Sequence, residues 1–292
     1  MTRDFTLYIY KRLLEQLLTA GYRFCTFEQY CAENKLINEG KLVVLRHDVD
    51  KRPQNSLETA RIEHELGITA SYYFRIVEES NQPKYIRAIA ALGHEIGYHY
   101  EDLSLANGDI NQSIKSFAKN IEYFRQFYPV RTICMHGAPR SPWDSRDIWK
   151  EFDYHNFGVI GEPYFDMDFS QMFYLTDTGR RWDGYRVSLR DKIPVYQDMW
   201  VMEGLVYHST QDLIAAIDML EHPETQTDYL RSDMACPKCC NSQRFHLQPL
   251  PKRLMMTTHP QRWTDDWYAW CMEYAVQSAK NVVKYWLARV RG

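Results

Sequence analysis

The sequence lacks any long hydrophobic run. No window of about 18 consecutive apolar residues, the length of a membrane-spanning helix, occurs among its 292 residues. The first ten residues also contain no apolar stretch of signal-peptide length. Because both kinds of segment are absent, we expect a cytoplasmic protein without a membrane segment.

An excess of charge is missing as well. The formal net charge is -3 and the pI is about 6.4, so acidic and basic residues nearly balance. Nucleic-acid-binding proteins usually carry a clear basic surplus, and we therefore expect no nucleic-acid partner. The sequence gives no indication of the oligomeric state.

The cysteines lack the pattern of a secreted disulfide framework. There are seven of them, an odd number scattered along the chain, and we expect reduced thiols. The segment Cys236–Cys240 contains one C-x-x-C pair, whereas a structural zinc site needs a second pair or two histidines. Only His246 is close in sequence, so we interpret the segment as a chance or loosely redox-active feature.

What the chain does contain is an ordinary globular composition with many aromatic residues. Hydrophobic residues make up 45% and charged residues 25%, which allows a sizeable core in a single domain. The 8 Trp, 21 Tyr and 13 Phe amount to 14% of the chain. Most of them are expected in the core, although aromatic faces also stack on sugar rings.

Hydrophobic periodicity predicts alternating helices and strands. Predicted helices cover 7–19, 27–33, 56–66, 84–92, 111–127, 210–220 and 265–289. Predicted strands cover 42–45, 68–77, 94–100, 131–135, 157–160, 172–175 and 254–258. This alternation indicates βαβ units and a parallel sheet, and periodicity alone leaves open whether the sheet closes into a barrel.

Three segments stand apart from the alternating pattern. Residues 1–40 are interpreted as an N-terminal helical extension, and 265–290 as a C-terminal helix that packs across the body. Residues 223–250 are polar with weak periodicity, and we interpret them as an insertion rather than a second domain. The whole chain, 1–292, is therefore predicted to be one domain.

The pentad Arg46-His47-Asp48-Val49-Asp50 follows a short apolar run that reads as a buried strand. In α/β sheets the C-terminal ends of the strands are where chemistry is placed. Side chains alternate along a strand, so Asp48 and Asp50 are expected on the same side. Two carboxylates so close require either a cation between them or a proton on one of them.

Three further strand ends carry histidine, namely His99, His136 and His259. In a parallel array these ends converge on one rim with the aspartate pair. His94 lies five residues before His99, faces the other side of the strand, and is interpreted as structural. Asp and His ligands with open positions suit Zn²⁺ or another borderline divalent ion.

Asp50, His99 and a third residue satisfy the usual three protein ligands of a catalytic zinc. A metal there lowers the pKa of water and polarises a carbonyl, while a carboxylate takes a proton and a histidine returns one to the leaving group. This pattern is typical of amide or ester hydrolysis.

Two of these motifs resemble those of the polysaccharide deacetylases of the NodB-homology type, the carbohydrate esterase family 4-like superfamily. The pentad 46–50 looks like a variant of the family's first motif, an Asp pair at the end of the first strand. Residues 93–99, Gly-His-Glu-Ile-Gly-Tyr-His, are similar to its second motif. The likeness covers about 41–263 and implies a distorted (β/α) barrel of about seven strands.

The resemblance also implies roles for single residues. It implies that Asp48 is the catalytic base, that Asp50 and His99 bind the metal, and that His259 is the general acid. The family's second metal histidine, four residues after the first, is Leu103 here. Glu101, Asp102 or His136 must then be the third ligand, and we favour His136 in Met-His-Gly-Ala-Pro.

Five residues are candidates for substrate binding: Arg46, Tyr100, Arg140, Arg180 and Trp182. Arg180 is suited to pair with a carboxylate and Trp182 to stack on a sugar, unless this turn is only a surface loop. Arg46 and Arg140 are alternatively expected to orient the catalytic aspartate.

Cys134 raises the possibility of a Cys–His nucleophile with His136. The two residues share a strand face that also needs apolar filling, and we interpret Cys134 as a buried, inert thiol.

These observations lead to one leading hypothesis and two alternatives. We expect a hydrolase dependent on a divalent metal, zinc first and nickel, cobalt or iron next, that deacetylates an N-acetylated sugar or a polysaccharide-related substrate. One alternative is a non-catalytic carbohydrate-binding barrel, since Leu103 replaces a histidine. The other is a hydrolase of non-sugar C–N bonds.

Overall fold

The computed structural model describes residues 3–32, 40–138, 141–183, 188, 193–222 and 247–291, the last range with side chains as far as residue 282. A curled parallel sheet forms a half-barrel flanked by helices. The strands are β1 (Tyr22–Cys25), β2 (Lys41–Val49), β3 (Ser71–Phe74), β4 (Glu95–Tyr100), β5 (Ile133–Met135), β6 (Phe173–Thr176) and β7 (Arg253–Thr258).

Ten helices surround the sheet in the described ranges. They are α1 (Leu7–Thr19), α2 (Phe27–Ala32), α3 (Pro53–Glu65), α4 (Pro83–Ala91), α5 (Asp102–Leu105), α6 (Ile110–Arg125), α7 (Pro163–Asp166), α8 (Pro194–Met202), α9 (Thr210–Glu221) and α10 (Trp267–Arg291). Short 3₁₀ helices span Ser145–Lys150, Tyr154–Phe157 and Pro260–Arg262.

Strand β2 is the centre of the sheet. The strand order is β5-β4-β3-β2-β7-β6, and β1 pairs with β2 in addition. Along one edge of β2, Lys41–Val44 pair with β1 and Arg46–Val49 pair with β3, whereas the other edge pairs with β7. All these pairs are parallel, so the C-terminal ends of the strands lie along one rim.

The apolar run 42–45 is a strand for the reason that the sequence suggested. Leu42, Val43, Val44 and Leu45 are all buried, because both faces of a parallel sheet are covered. A continuous apolar run suits such a strand better than an alternating one. The pentad 46–50 then falls at the C-terminal end of the central strand, as predicted.

The α/β class and the parallel sheet of seven strands are confirmed, but the expected barrel is open. Strands β5 and β6 are the two ends of the strand order, and within the described residues they do not pair with each other. The predicted strand 157–160 is wrong. Gly158 turns the chain at a φ of 70°, and only a single bridge joins Thr132 to Gly161 beside β5.

Strand β1 was not predicted, although it belongs to the sheet. It lies inside the segment that was interpreted as an N-terminal helical extension, between α1 and α2. Helix α1 has the predicted bounds, and the Thr6 hydroxyl caps it by accepting from Ile9 N at 3.2 Å. Residues 33–39 lie outside the described residues.

Helix α10, Trp267–Arg291, lies where the C-terminal helix was expected. Most of the predicted insertion, residues 223–246 with Cys236, Cys239, Cys240 and His246, lies outside the described residues. Within the described ranges, no helix has both the length and the apolar character that crossing a membrane requires.

Candidate metal centre

Three predicted metal ligands meet at the rim. Asp50 follows β2, His99 lies near the end of β4, and His136 follows β5. Asp50 Oδ1 is 3.6 Å from His99 Nε2 and 3.5 Å from His136 Nε2. Two ligands of a tetrahedral zinc, each about 2.1 Å from the ion, are roughly 3.4 Å apart. The two distances from Asp50 therefore match those around one cation, and all three ligand atoms lie within 4.8 Å of one another.

The unpartnered oxygen of Asp50 and the ligand types also fit a divalent metal. Asp50 Oδ1 is buried and has no hydrogen-bond partner among the described residues. A buried carboxylate oxygen without a partner is costly unless something positive lies against it. Two imidazoles and a carboxylate with open positions are typical of zinc and of non-haem iron, and this set does not decide between them.

Both imidazoles are held with Nε2 towards Asp50. His99 Nδ1 lies 2.9 Å from the Cys134 carbonyl oxygen, which can only accept, so Nδ1 carries the proton and donates. His136 Nδ1 donates in the same way to Glu101 Oε2 at 2.8 Å. Histidine ligands of metals are oriented by such contacts to the other ring nitrogen.

Glu101 belongs to neither group of possible ligand atoms and instead pairs with His136 and Arg75. Arg75 Nε donates to Glu101 Oε1 at 2.8 Å, and Arg75 Nη2 donates to Oε2 at 2.9 Å. Burial alone would raise the pKa of Glu101, but the hydrogen bond and charge of His136 and the charge of Arg75 lower it. Arg75 Nη1 also donates to the Asp50 carbonyl oxygen at 3.2 Å, which ties both sides of the site together.

Asp102, the other alternative for the third ligand, is hydrogen-bonded to residues outside the triad. The Asp102 carboxylate accepts from the hydroxyls of Tyr98 and Ser116 and from Asn120, at 2.7 to 2.9 Å. Leu103, in the place of the absent histidine, is buried. Of the three residues left open by the sequence, His136 is the one that the structure brings to Asp50 and His99.

Asp48 lies beneath this cluster and is paired with Arg46. Arg46 is fully buried, Asp48 is 4% exposed, and Arg46 Nη2 donates to Asp48 Oδ2 at 2.8 Å. Burial disfavours the guanidinium, but the charge of Asp48 outweighs it and raises the pKa of Arg46. Arg46 thus orients Asp48. This was the alternative prediction for Arg46, beside substrate binding.

Asp50 is held as an anion. Burial would raise its pKa, but the neighbouring imidazoles of His99, His136 and His259 lower the pKa of Asp50 well below its ordinary value. Gln261 Nε2 donates to Asp50 Oδ2 at 3.1 Å. Sequence analysis missed Gln261, and its only signal was its place two residues after His259.

His259 is oriented by an aspartate that sequence analysis did not assign. His259 Nδ1 lies 2.6 Å from Asp177 Oδ1, and its backbone N–H donates to Asp177 Oδ2 at 2.9 Å. Arg262 Nη1 is 2.9 Å from the same ring nitrogen, but the shorter contact to a carboxylate identifies Nδ1 as a donor. The ring's other nitrogen, Nε2, is then the one able to exchange a proton with a ligand.

Asp177 itself is fully buried at the end of β6. Burial would raise its pKa, but the charges of Arg262 and His259 and the hydrogen bonds from His259 lower it. Asp177 follows β6 as Asp50 follows β2, and this strand-end position was the signal that could have identified it.

The remaining substrate-binding candidates lie elsewhere or outside the described part. Tyr100 is fully buried on the opposite face of β4 from His99, with its hydroxyl donating to Glu162 at 3.4 Å. Trp182 is 4% exposed and donates from its indole nitrogen to Thr210 at 3.0 Å, so its face is not available to a sugar. Arg140 lies outside the described residues.

Arg180 packs against aromatic rings instead of facing the metal ligands. Its guanidinium lies 5.0 Å from the ring centre of Phe5 and 4.8 Å from that of Trp270. It donates to the Arg262 carbonyl oxygen at 3.3 Å. The pairing of Arg180 with a substrate carboxylate stays a prediction.

His94 is structural, as predicted. It is fully buried, with Nε2 2.9 Å from the Ala60 carbonyl oxygen and Nδ1 accepting from Ala70 N at 3.2 Å. Cys134 is also fully buried, but it lies with Asp48 and His99 in a second group of possible ligand atoms.

The chain was compared with known protein families, curated proteins and solved structures. No family model matches the chain, and neither do any of the curated proteins or the solved structures.

Proposed function

We propose that this protein is a metal-dependent hydrolase that removes an acyl group from an N-acetylated sugar or sugar conjugate. The observation that carries the proposal is the meeting of Asp50, His99 and His136 at the rim, with a buried carboxylate beneath them. A divalent cation held there supplies Lewis-acid polarisation of the acyl carbonyl and a water of lowered pKa.

The roles of the protein's own residues follow from their contacts. Asp48, paired with Arg46, takes the proton of the attacking water. His259 donates a proton from Nε2 to the departing amine, and Asp177 holds the ring in the required tautomer and stabilises its positive form. The charge of His259 contributes to lowering the pKa of Asp50, which is consistent with the acid lying beside the metal ligands.

The choice of a sugar amide rests on the motif resemblance. The pentad 46–50 and residues 93–99 are similar to two motifs of the NodB-homology polysaccharide deacetylases. The half-barrel of parallel strands supports the comparison at the level of architecture. The departure at Leu103 is compatible with metal binding because His136 approaches Asp50 from β5.

Metal content is the first test. We expect near-stoichiometric zinc, nickel, cobalt or iron in the purified protein by elemental analysis, with loss of the metal in both His99→Ala and His136→Ala. The exposed His155, 57% accessible and paired with Asp153, provides the matched control: His155→Ala should retain the metal. Absence of metal even after reconstitution would contradict the proposal and support a non-catalytic carbohydrate-binding protein.

Turnover is the second test. Asp48→Asn should retain the metal and lose about 10²- to 10⁴-fold in acetate release from N-acetylated oligosaccharides, the usual contribution of a general base. If Asp48→Asn released the metal and Asp50→Asn retained it, the two roles would be reversed. Release of acyl groups from non-sugar amides alone would instead support a hydrolase of other C–N bonds.

A further inference from the structure

A second group of possible ligands lies beneath the rim. Ligand atoms of Asp48, His99 and Cys134 all lie within 4.8 Å of one another. The side chains of Asp48 and His99 are 6% and 2% exposed and Cys134 is fully buried, whereas the side chains of Asp50 and His136 are 24% and 14% exposed. We refer to Asp50–His99–His136 as the outer triad and to Asp48–His99–Cys134 as the inner triad.

The two triads arise from the same strand geometry. Asp48 lies in β2 and Asp50 just after it, and Cys134 lies in β5 and His136 just after it, so each strand end contributes one residue to each triad. His99 is the register partner of Cys134 on the neighbouring strand. Its Nε2 lies 3.8 Å from Asp48 Oδ2 and 3.6 Å from Asp50 Oδ1, between the two carboxylates.

A second observation favours a ligand beside Asp48. Asp48 Oδ1 is buried and has no hydrogen-bond partner among the described residues, although Oδ2 is paired with Arg46. Such an oxygen is costly in a protein interior unless it meets a donor or a cation.

The chemistry of the inner triad differs from that of the outer one. It offers sulfur, imidazole and carboxylate donors, and a thiolate selects thiophilic ions such as Zn²⁺ or Cd²⁺. Binding forms a metal–sulfur bond and releases the thiol proton of Cys134 to solvent, because the thiolate is the ligand.

We propose that the inner triad is a second cation position, specific for thiophilic divalent ions. It excludes occupation of the outer triad because both positions use His99 Nε2. Zinc in the purified protein is held by the outer triad and is lost with His136, whereas the more thiophilic Cd²⁺ takes the inner position. An ion bound there also removes Asp48 from its role as base, so Cd²⁺ inhibits the protein. Only this inhibition rests on the proposed function; the binding does not.

Cadmium titration of the metal-free protein tests the binding. The three cysteines between 236 and 240 are replaced by Ser in all samples so that they cannot contribute. We expect a thiolate-to-cadmium charge-transfer absorption that persists in Asp50→Asn and His136→Ala and is lost in His99→Ala, Cys134→Ser and Cys134→Ala. The matched control is Cys25→Ser, which removes another buried thiol and should retain the absorption.

Two results would overturn the inference: no charge-transfer absorption in the parent protein, or one that survives both Cys134 variants in samples whose circular dichroism is unchanged. Where acetate release is measurable, Cys134→Ser should raise the cadmium concentration for half-inhibition by at least about tenfold, the lower range of what a disturbed metal site loses in affinity. An intact absorption without acetate release from any sample would contradict the proposed function alone. Acetate release without the absorption would contradict the inner position alone.

Discussion

The orientation of His259 depends on a single carboxylate. Asp177 accepts from the ring nitrogen Nδ1, from the backbone of His259, and from the indole of Trp263 at 2.8 Å. Asparagine at this position keeps the size of the side chain but can present its amide hydrogens to the ring, which favours the wrong tautomer.

We therefore expect Asp177→Asn to reduce kcat for acetate release by about 10²- to 10⁴-fold without loss of metal. Asp183 forms a similar contact, 2.8 Å from His208 Nδ1, and Asp183→Asn provides the matched control, with little change in kcat expected. Equal losses in both variants, or loss of the metal from Asp177→Asn, would show that the aspartate acts through the fold and not through His259.

Glu101 orients His136 as Asp177 orients His259. It fixes His136 with a charged hydrogen bond, and Glu101→Gln weakens that bond and the pairing with Arg75. We expect Glu101→Gln to bind the metal about 10- to 100-fold more weakly, measured by competition with a chelator. The exposed Glu122→Gln should leave the affinity unchanged, and an unchanged affinity in Glu101→Gln would argue against a metal at His136.

The residues of the candidate site that the sequence predicted are those at strand ends. Asp50, His99 and His136 were found because a parallel sheet brings its strand ends together. Asp177 and Gln261 were missed because their roles depend on which side chain faces them from another strand, and spacing does not reveal this. Tyr100 and Trp182 were placed in the substrate site by residue type, whereas their burial is decided by tertiary packing.

At the scale of elements, long helices with a periodic apolar face were predictable, whereas β1 and the helices α5, α7 and α8 were missed. Helix α1 carries a periodic apolar face over 13 residues, which is a local signal. Strand β1 has four residues between two helices, too few for alternation to be recognised. The predicted strand 157–160 has strand-like residues, but pairing depends on distant partners and on the turn at Gly158.

Gly97 in β4 marks a close approach between neighbouring strands. An added Cβ would lie 2.2 Å from Tyr73 Cε1, and the Tyr73 hydroxyl is fixed by a 2.8 Å hydrogen bond with Thr132. We expect Gly97→Ala to lower the free energy of unfolding by about 1–3 kcal/mol, measured by urea denaturation. In a Tyr73→Leu background the same change should cost less, and strict additivity of the two changes would contradict this explanation.

At the scale of the whole molecule, sequence supplied the class of the fold but not its closure. The alternation of helices and strands predicts a parallel sheet because each crossover is a local unit. Whether the first and last strands meet depends on contacts between distant parts of the chain, and among the described residues they leave a half-barrel.

The stability of the whole molecule is expected to carry a pH dependence from Glu162. Burial raises the pKa of Glu162 from 4.5 to about 7, although hydrogen bonds from Met135 N and Tyr164 N oppose this. The folded state keeps the proton over this range while the unfolded chain loses it, so this group's contribution to stability falls as pH rises from 4.5 to 7. Glu162→Gln removes the titration.

The stability of Glu162→Gln relative to the unsubstituted protein should therefore rise by about 3 kcal/mol between pH 4.5 and pH 8. Urea denaturation at both pH values measures this difference, and the exposed Glu58→Gln, 49% accessible, should show no such change. A relative stability that stays constant or falls with pH would mean that the pKa of Glu162 is not raised in the folded protein.

The pairing of β2 with β7 sets an order of assembly. His47 and Thr258 hydrogen-bond to each other although 211 positions separate them, so we expect this non-local pairing to form late. The outer triad needs only β2, β3, β4 and β5 and the residues up to 136. A growing chain thus carries all three residues of the outer triad while more than a hundred residues are still missing before His259, so the triad can assemble before the His259 side of the rim exists.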